Sequence, residues 1–341
     1  MTIFFRVDAG GQYGLGHAIR CRTLAQALHA QAPDVPLVCV MMPPVLEAVA
    51  GQPGAPWSLF PCVDEWTAFE AVRAQARRGD VVVFDEPMGQ SWVETLWRPK
   101  LASDIATVRI DAPWAAADSC NLLVLPGMHH SVETLEALDA TFGERLLVGA
   151  EYVMLRDDLT ENRRSWVEHQ AGIAFNAGGS DPEQVLPLLY TMTRTLSDLL
   201  AELPPLFYLV GPLSASWELA HLSFKDFITG FSHMTVAQAG LFVNLWGATV
   251  YEALALGTPT LTIARTEAEA EDVARLEAAT EGAVQSLGTL AGLMRETLCD
   301  RLVGLWQDAG ERKRMHYASA GLLDGKGAER VARAVLALGG S

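Results

Sequence analysis

The chain has 341 residues, half of them apolar, and 25 Lys+Arg against 41 Asp+Glu give a formal net charge of −16. That length predicts two domains, with enough apolar material for two cores. So acidic a balance excludes the electrostatic footprint that nucleic acid or an anionic membrane surface requires, and neither is expected as a partner.

A phosphate-bearing ligand remains compatible with this charge if backbone N–H groups hold it locally. The five cysteines (Cys21, Cys39, Cys62, Cys120, Cys299) are scattered and odd in number, with no C-x-x-C pair. That usage predicts buried thiols in a reducing compartment. The N-terminal apolar run is broken by Arg6 and Asp8, unlike a secretory leader. Residues 239–264 are long and weakly charged, but Asn244, Gly247, Glu252, Gly257 and Pro259 fit strand–loop–helix–strand rather than a membrane span. A soluble, cytoplasmic protein is expected.

In chain order, the first half predicts strands at 2–7, 36–41, 81–85, 105–110 and 121–125, with helices near 16–30, 66–77 and 90–98. The second half predicts strands at 171–176, 206–210, 226–229, 240–244 and 259–263. Its helices are expected near 182–202, 248–256, 267–279, 290–307 and 326–338. Alternating strands and helices argue for an α/β protein with parallel sheets covered on both faces. The expected organisation is a Rossmann-like domain at 1–150, a linker at 151–168 and a second Rossmann-like domain at 169–341 carrying the terminal helices. Ligands are expected at the carboxyl ends of the strands.

The stretch DAGGQYGLGHAIRCR at 8–22 joins the first strand to the first helix. A dinucleotide fingerprint needs a third glycine where Ile19 stands, and no acid closes the second strand. A P-loop needs Gly-Lys-Ser/Thr, whereas His17 follows Gly16. Cys21, Leu24, Ala25 and Leu28 form a buried stripe at helical spacing, and His17 extends it by one turn to the mouth of the sheet. The helix N-terminus disfavours imidazolium, and a neutral imidazole is what a general base requires. A core or capping histidine is an equally open reading. Asp8 either orients or caps the loop. Asp8 and Asp85, each closing a strand, join His17 as candidate catalytic residues, and Gly14, Gly16 and Arg20 as candidate substrate-binding residues.

Asn176-Ala177-Gly178-Gly179-Ser180-Asp181-Pro182 closes a strand and opens a helix, with Ser180 or Asp181 as N-cap and Pro182 at the first helical position. Gly178, Gly179 and Ser180 leave N–H groups for an anion. Leu245 to Glu252 repeats the pattern, with Gly247 and Thr249 in the turn and Glu252 one helical turn on, suited to vicinal hydroxyls. An ordinary exposed helical carboxylate is the plainer alternative for Glu252. Two such turns favour a nucleotide diphosphate. His233 lies after a strand, either lining a base pocket or solvated, and His129-His130 is expected in a loop. No Asp-x-Asp points to a metal.

Arg6-x-Asp8 with Gly14-Leu15-Gly16-His17-x-x-Arg20-Cys21 resembles the signature of the UDP-sugar hydrolases of pseudaminic acid biosynthesis, a family that includes spore-coat polysaccharide proteins. The resemblance continues through Leu146 to Arg156, Gly178 to Pro182, Thr249-x-Tyr251-Glu252 and Asp324 to Arg330. It implies a GT-B fold with two Rossmann-like domains facing a cleft, and a UDP-sugar whose uridine and diphosphate lie on the C-terminal domain. It also implies that His17 activates water at the anomeric carbon, releasing UDP and a 2,4-diacetamido-2,4,6-trideoxy sugar without metal or redox cofactor. The family's D-x-Y reads Asp85-Glu86-Pro87 here, its I-D-D reads Ile110-Asp111-Ala112, and its Asn-Gln pair falls at Ala268-Glu269. These departures imply a retained UDP handle with an altered sugar pocket, in which Glu86 and Glu269 compensate or the substrate or reaction differs. A glycosyltransferase using a UDP-sugar donor and a non-catalytic nucleotide-sugar-binding protein are the alternatives.

Overall fold

A computed structural model describes residues 1–8, 14–41, 55–85, 92–116, 118–156, 159, 161–166, 171–194, 196, 204–214, 227–229 and 233–339. The chain forms two compact units. One comprises Met1–Gly127, Ser131–Arg156 and Lys326–Ser341, and the other Met128–His130 and Asp157–Gly325.

The first unit is built on a seven-stranded sheet. Its strands are β1 (Ile3–Val7), β2 (Leu37–Met41), β3 (Ser58–Pro61), β4 (Val81–Asp85), β5 (Ala106–Ile110), β6 (Leu122–Pro126) and β7 (Leu146–Gly149). They lie in the order β3-β2-β1-β4-β5-β6-β7, and every pairing is parallel. Runs such as Val81-Val82-Val83-Phe84 suit strands buried on both faces, and all five β4 residues are buried. Strand order reverses between β1 and β4, so the crevice at their carboxyl ends is the switch point where this class of sheet binds ligands.

Three helices of this unit are α1 (Gly16–Gln31), α2 (Glu65–Gln75) and α3 (Val132–Phe142). Asp64 caps α2 and Ser131 caps α3, each accepting from the backbone N–H three residues on. The helical pattern expected at 90–98 is a π turn over Val93–Trp97 running into Arg98–Lys100. Trp97 is fully buried there, edge-to-face against Phe69 and Phe84 at 5.4 and 5.0 Å between ring centroids.

The second unit carries a six-stranded sheet, also parallel throughout. Its strands are β8 (Ile173–Asn176), β9 (Leu206–Val210), β10 (Phe227–Thr229), β11 (Leu241–Leu245), β12 (Thr260–Ala264) and β13 (Val284–Thr289). The order is β10-β9-β8-β11-β12-β13, which puts a second switch point between β8 and β11. Helices α4 (Val185–Thr193), α5 (His233–Gln238), α6 (Thr249–Leu256), α7 (Glu267–Ala279), α8 (Arg295–Gln307) and α9 (Ala309–Ala318) belong here. Residues 239–264 form a strand, a helix and a strand, as their polar and glycine punctuation predicts. No helix among the described residues is long and apolar enough to cross a membrane.

Two sequence expectations are corrected. The helix expected from 182 begins at Val185, because Asp181 and Gln184 take left-handed backbone angles (φ 44° and 54°) and 181–184 form a turn. Pro182 therefore lies in that turn, and the expected helical stretch beyond 196 lies outside the described residues. The last helix, α10 (Gly327–Leu338), was expected in the second domain but belongs to the first unit, as do residues 151–156 of the expected linker.

The packing explains that placement. Val331, Ala332 and Val335 of α10 are fully buried. Helix α10 packs along α1, where Gln31 Nε2 donates to the Glu329 carbonyl at 2.9 Å. Arg330 Nη1 donates to the Glu151 carbonyl at 2.9 Å. Gly327 lies so close to the 152–153 backbone that a Cβ there would sit 2.1 Å from the Val153 oxygen. Gly327→Ala is therefore expected to cost about 1–3 kcal/mol through forced backbone displacement. A wild-type melting temperature in that variant would contradict the close approach.

Candidate functional site

In the first unit, Gly14 (φ 68°) supplies the left-handed turn that brings the chain into α1. Leu15 offers no side-chain cap and no acid occupies the first turn, so neither compensates the N-terminal amides and their positive dipole end. Cys21, Leu24, Ala25 and Leu28 are buried as the helical stripe predicts, Ala18 is buried as well, and His17 sits one turn above with its side chain 22% exposed. Its Nδ1 lies 2.6 Å from Asp85 Oδ1, across 68 residues of sequence.

Asp85 is completely buried. Burial alone would raise its pKa, but Arg20 and then His17 outweigh that and hold the carboxyl well below the usual carboxylate range. Arg20 grips it with two bonds, from Nε to Oδ2 at 2.8 Å and from Nη2 to Oδ1 at 2.7 Å. An ionised carboxylate only accepts, so His17 donates to it from Nδ1, and the tautomer this bond selects carries its lone pair on Nε2. This is the tautomer that a general base presents. Cys21 Sγ also donates to Asp85 Oδ2 at 3.6 Å. Burial and then the Asp85 charge push that thiol's pKa up, which removes it as a nucleophile.

Arg20, a candidate substrate ligand from the sequence, is engaged otherwise. Its third polar atom, Nη1, donates to Asp111 Oδ2 at 2.9 Å, so Nε, Nη1 and Nη2 all bind protein carboxylates. Burial opposes its charge, yet Asp85 and Asp111 more than restore it. Asp8 also stands apart from His17 in its bonding, since its Oδ1 pairs with Arg6 Nη2 at 2.7 Å. Arg6 in turn donates from Nε to Glu65 Oε2 at 3.0 Å, and Glu65 accepts from the Trp97 indole. Asp8 thus closes a buried chain that anchors the end of β1. Gly16 is the first residue of α1. Gly10, Gly11 and Glu86 lie outside the described residues.

In the second unit, the two glycine turns flank the switch point, one leaving β8 and the other leaving β11. Asn176 fastens the first turn, donating to the Leu209 carbonyl at 3.0 Å and accepting from Gly178 N–H at 2.9 Å. Gly178 is left-handed (φ 93°), and Gly179 accepts from Leu213 N–H at 2.9 Å. Gly211 closes over this turn, since a Cβ on it would lie 2.4 and 2.5 Å from the Gly178 and Gly179 oxygens. Ser180 is buried. Asp181 caps α4 from a distance, accepting from Val185 and Leu186 N–H at 2.7 and 3.1 Å. Burial raises its pKa, and those two amides pull against the shift.

The second turn is more open. Gly247 and Ala248 are exposed, Gly247 takes φ 153°, and α6 starts at Thr249 with no side-chain cap. Glu252 sits partly buried in its first turn. At the far end Gly257 (φ 78°) terminates α6, and the Arg163 guanidinium donates to the Leu254 carbonyl at 3.2 Å. His233 opens the short helix α5. Glu269, expected to compensate in a sugar pocket, takes part in a cap. Its Oε2 accepts from Arg265 N–H at 2.6 Å while Thr266 caps its amide at 3.2 Å. Arg265 Nη1 reaches back to the Trp246 carbonyl at 2.9 Å, which ties that cap to the glycine turn.

Sequence reasoning left His129 in a loop. Its Nδ1 lies 2.7 Å from the Tyr251 hydroxyl, its ring stands edge-on to Trp246 at 5.2 Å, and its carbonyl accepts from Arg275 Nε at 2.8 Å. The sequence likewise assigns no role to Asp111. Neither placement has a local signal, because their partners lie tens to more than a hundred residues away.

No protein-family model matches the chain, and no curated protein matches it. Solved structures do resemble it over nearly its whole length. A co-structure of S. aureus MnaA with UDP matches at TM-score 0.65 and 14% identity, covering 97% of this chain and 95% of that one. Os79 from O. sativa in complex with UDP matches at TM-score 0.65 and 13% identity, covering 99% and 100%. MurG of Acinetobacter baumannii matches at TM-score 0.61 and 11% identity, covering 98% and 99%. Likeness at such identity speaks for the fold. The fold is of the GT-B class, with two parallel-sheet α/β units.

Proposed function

We propose that this chain is a UDP-sugar hydrolase in which His17 activates water. The observation that carries the reading is the His17–Asp85 pair at a sheet switch point, with the basic lone pair directed to Nε2. In the proposed reaction water attacks the anomeric carbon and yields its proton to His17 Nε2. The anomeric C–O bond breaks, and its electron pair leaves on the β-phosphate of UDP. Asp85 stabilises the imidazolium that forms. The open amides at Gly247, Ala248 and Thr249 and the turn at 178–180 would receive the diphosphate, as uncapped helix N-termini and glycine turns do. Glu252 would accept from the ribose hydroxyls, and His233 would lie toward the base. Matched structures that are complexes with UDP, among them those of MnaA and Os79, support a uridine nucleotide as the ligand class. The motif resemblance supports a 2,4-diacetamido-2,4,6-trideoxy sugar as the group released, in bacterial surface-glycan synthesis.

The same base serves a glycosyltransferase if a sugar hydroxyl replaces water. Incubation with UDP-linked diacetamido-trideoxy sugars, with and without acceptor, decides between them. Acceptor-independent UDP release supports hydrolysis, and acceptor-dependent release supports transfer. Binding without turnover would leave only a nucleotide-sugar-binding protein.

The turn at 178–180 has its own test. Gly211→Ala forces the Gly178 and Gly179 carbonyls to move, and if about 1–3 kcal/mol of that strain falls on the bound turn, UDP dissociation constant rises roughly 5- to 150-fold. Calorimetric titration that finds wild-type UDP affinity would remove this turn from the diphosphate site.

A further inference from the structure

Arg20 is held from two sides, and its second holder, Asp111, has an unusual backbone. Asp111 follows the last residue of β5 with φ 59°, in the left-handed region that aspartate tolerates better than most side chains. Its N–H donates to the Val124 carbonyl on β6 at 2.8 Å, which fixes the turn. The carboxylate sits 2.9 Å from Arg20 Nη1 and is 29% exposed, whereas Asp85 on the other side of the guanidinium is fully buried. A left-handed residue stores strain of about 1–3 kcal/mol unless the side chain gains from the position it reaches.

The geometry around Asp85 Oδ1 shows what depends on this hold. That single oxygen accepts from both His17 Nδ1 at 2.6 Å and Arg20 Nη2 at 2.7 Å. The two donors stand only 3.4 Å apart. A guanidinium freed at Nη1 can pivot in its plane and compete with the imidazole for Oδ1. Asp111 prevents the pivot, because a planar fork fixed at both ends has no such rotation left. We infer that Asp111 is a positioning residue: by anchoring Arg20 Nη1 it keeps Asp85 Oδ1 open to His17 beside Arg20 Nη2 and holds His17 in the Nδ1–H tautomer. This deepens the proposed hydrolase and rests on it for its catalytic meaning, though the tautomer itself is a property of the protein alone.

The test uses the full chain with 15N-labelled histidine and records imidazole 15N–1H correlation spectra well above the ordinary histidine pKa. The wild type is expected to show His17 as a single Nδ1–H tautomer, and D111N a mixture of the two tautomers. Asparagine tolerates the same backbone angles, so D111N removes the charge without adding strain. R20K, which keeps a cation but loses the fork, is expected to show the same mixture, and gives an independent reading should D111N fold poorly.

In UDP-release assays, D111N is expected to lower kcat about 10–100-fold with KM within about twofold. The D111N/R20K double variant should fall no further than the worse single one, as members of one chain do. A single Nδ1–H tautomer in both single variants would overturn the inference, as would a loss confined to KM. If the wild type releases no UDP, the hydrolase reading fails alone, and the spectra still decide the role of Asp111.

Discussion

His17→Asn is expected to lower UDP release by a factor of about 10³ or more while UDP affinity stays within a few-fold. The asparagine amide still reaches the Asp85 side of the pocket, so the buried carboxylate keeps a donor and the fold keeps its packing. What disappears is the Nε2 lone pair, the atom to which water would yield its proton. Because the proposed diphosphate turns belong to the second unit, UDP titration reports on them separately from turnover. Loss of both folding and activity in this variant would return His17 to a core role, the plainer reading that the sequence leaves open.

Asp85→Asn is expected to do comparable harm by a different route. The neutral amide no longer compels a proton onto His17 Nδ1, and it leaves the largely buried Arg20 with one carboxylate instead of two. Removing one partner of a buried ion pair costs about 3–5 kcal/mol. Loss of the correct histidine tautomer costs about 10⁴ in rate in a serine protease triad, which is an upper guide here.

The pH dependence of folding gives a second readout. Asp85 has a folded pKa below its unfolded one, so its contribution to stability is complete above about pH 4 and is lost as pH falls toward the folded value. Acid titration of the wild type should therefore show a loss of stability below about pH 4 that is diminished in Asp85→Asn. Identical acid profiles for the two proteins would contradict the ionised, buried state assigned to Asp85.

Much of this molecule was readable from residue order, and the failures have physical causes. Runs such as Val81–Phe84 announce strands because burial on both faces demands unbroken apolar residues. Strand β3 escaped notice because Ser58–Pro61 is an exposed edge with little periodic signal. Strand β13 reads Val-Gln-Ser-Leu-Gly-Thr, polar enough to pass for loop, and helix α9 has few apolar positions.

The sequence led to His17 through helical spacing, yet not to its bonds. The Asp85 carboxylate, the Arg20 fork and the left-handed Asp111 come together only because parallel strands end at one edge of the sheet. Arg20 illustrates the limit well. The sequence names Arg20 as a substrate-binding candidate, and only the fold shows the two carboxylates that hold it. Helix α10 shows the same limit at larger scale, since an amphipathic stripe records that a face is buried without recording against what.

The return of α10 to the first unit has a consequence for synthesis on the ribosome. Proteins made from the amino end usually complete their first domain before the next emerges. Here the first unit needs residues from 326 onward, including the Gly327 contact with the 152–153 backbone and the Glu329 contact with Gln31. Those residues are translated only after the whole of the second unit. The half that carries His17 therefore waits, its α1 surface uncovered, while the glycine-turn half already has every residue it requires. On the proposed function, nascent chains would bind nucleotide before they could act on it.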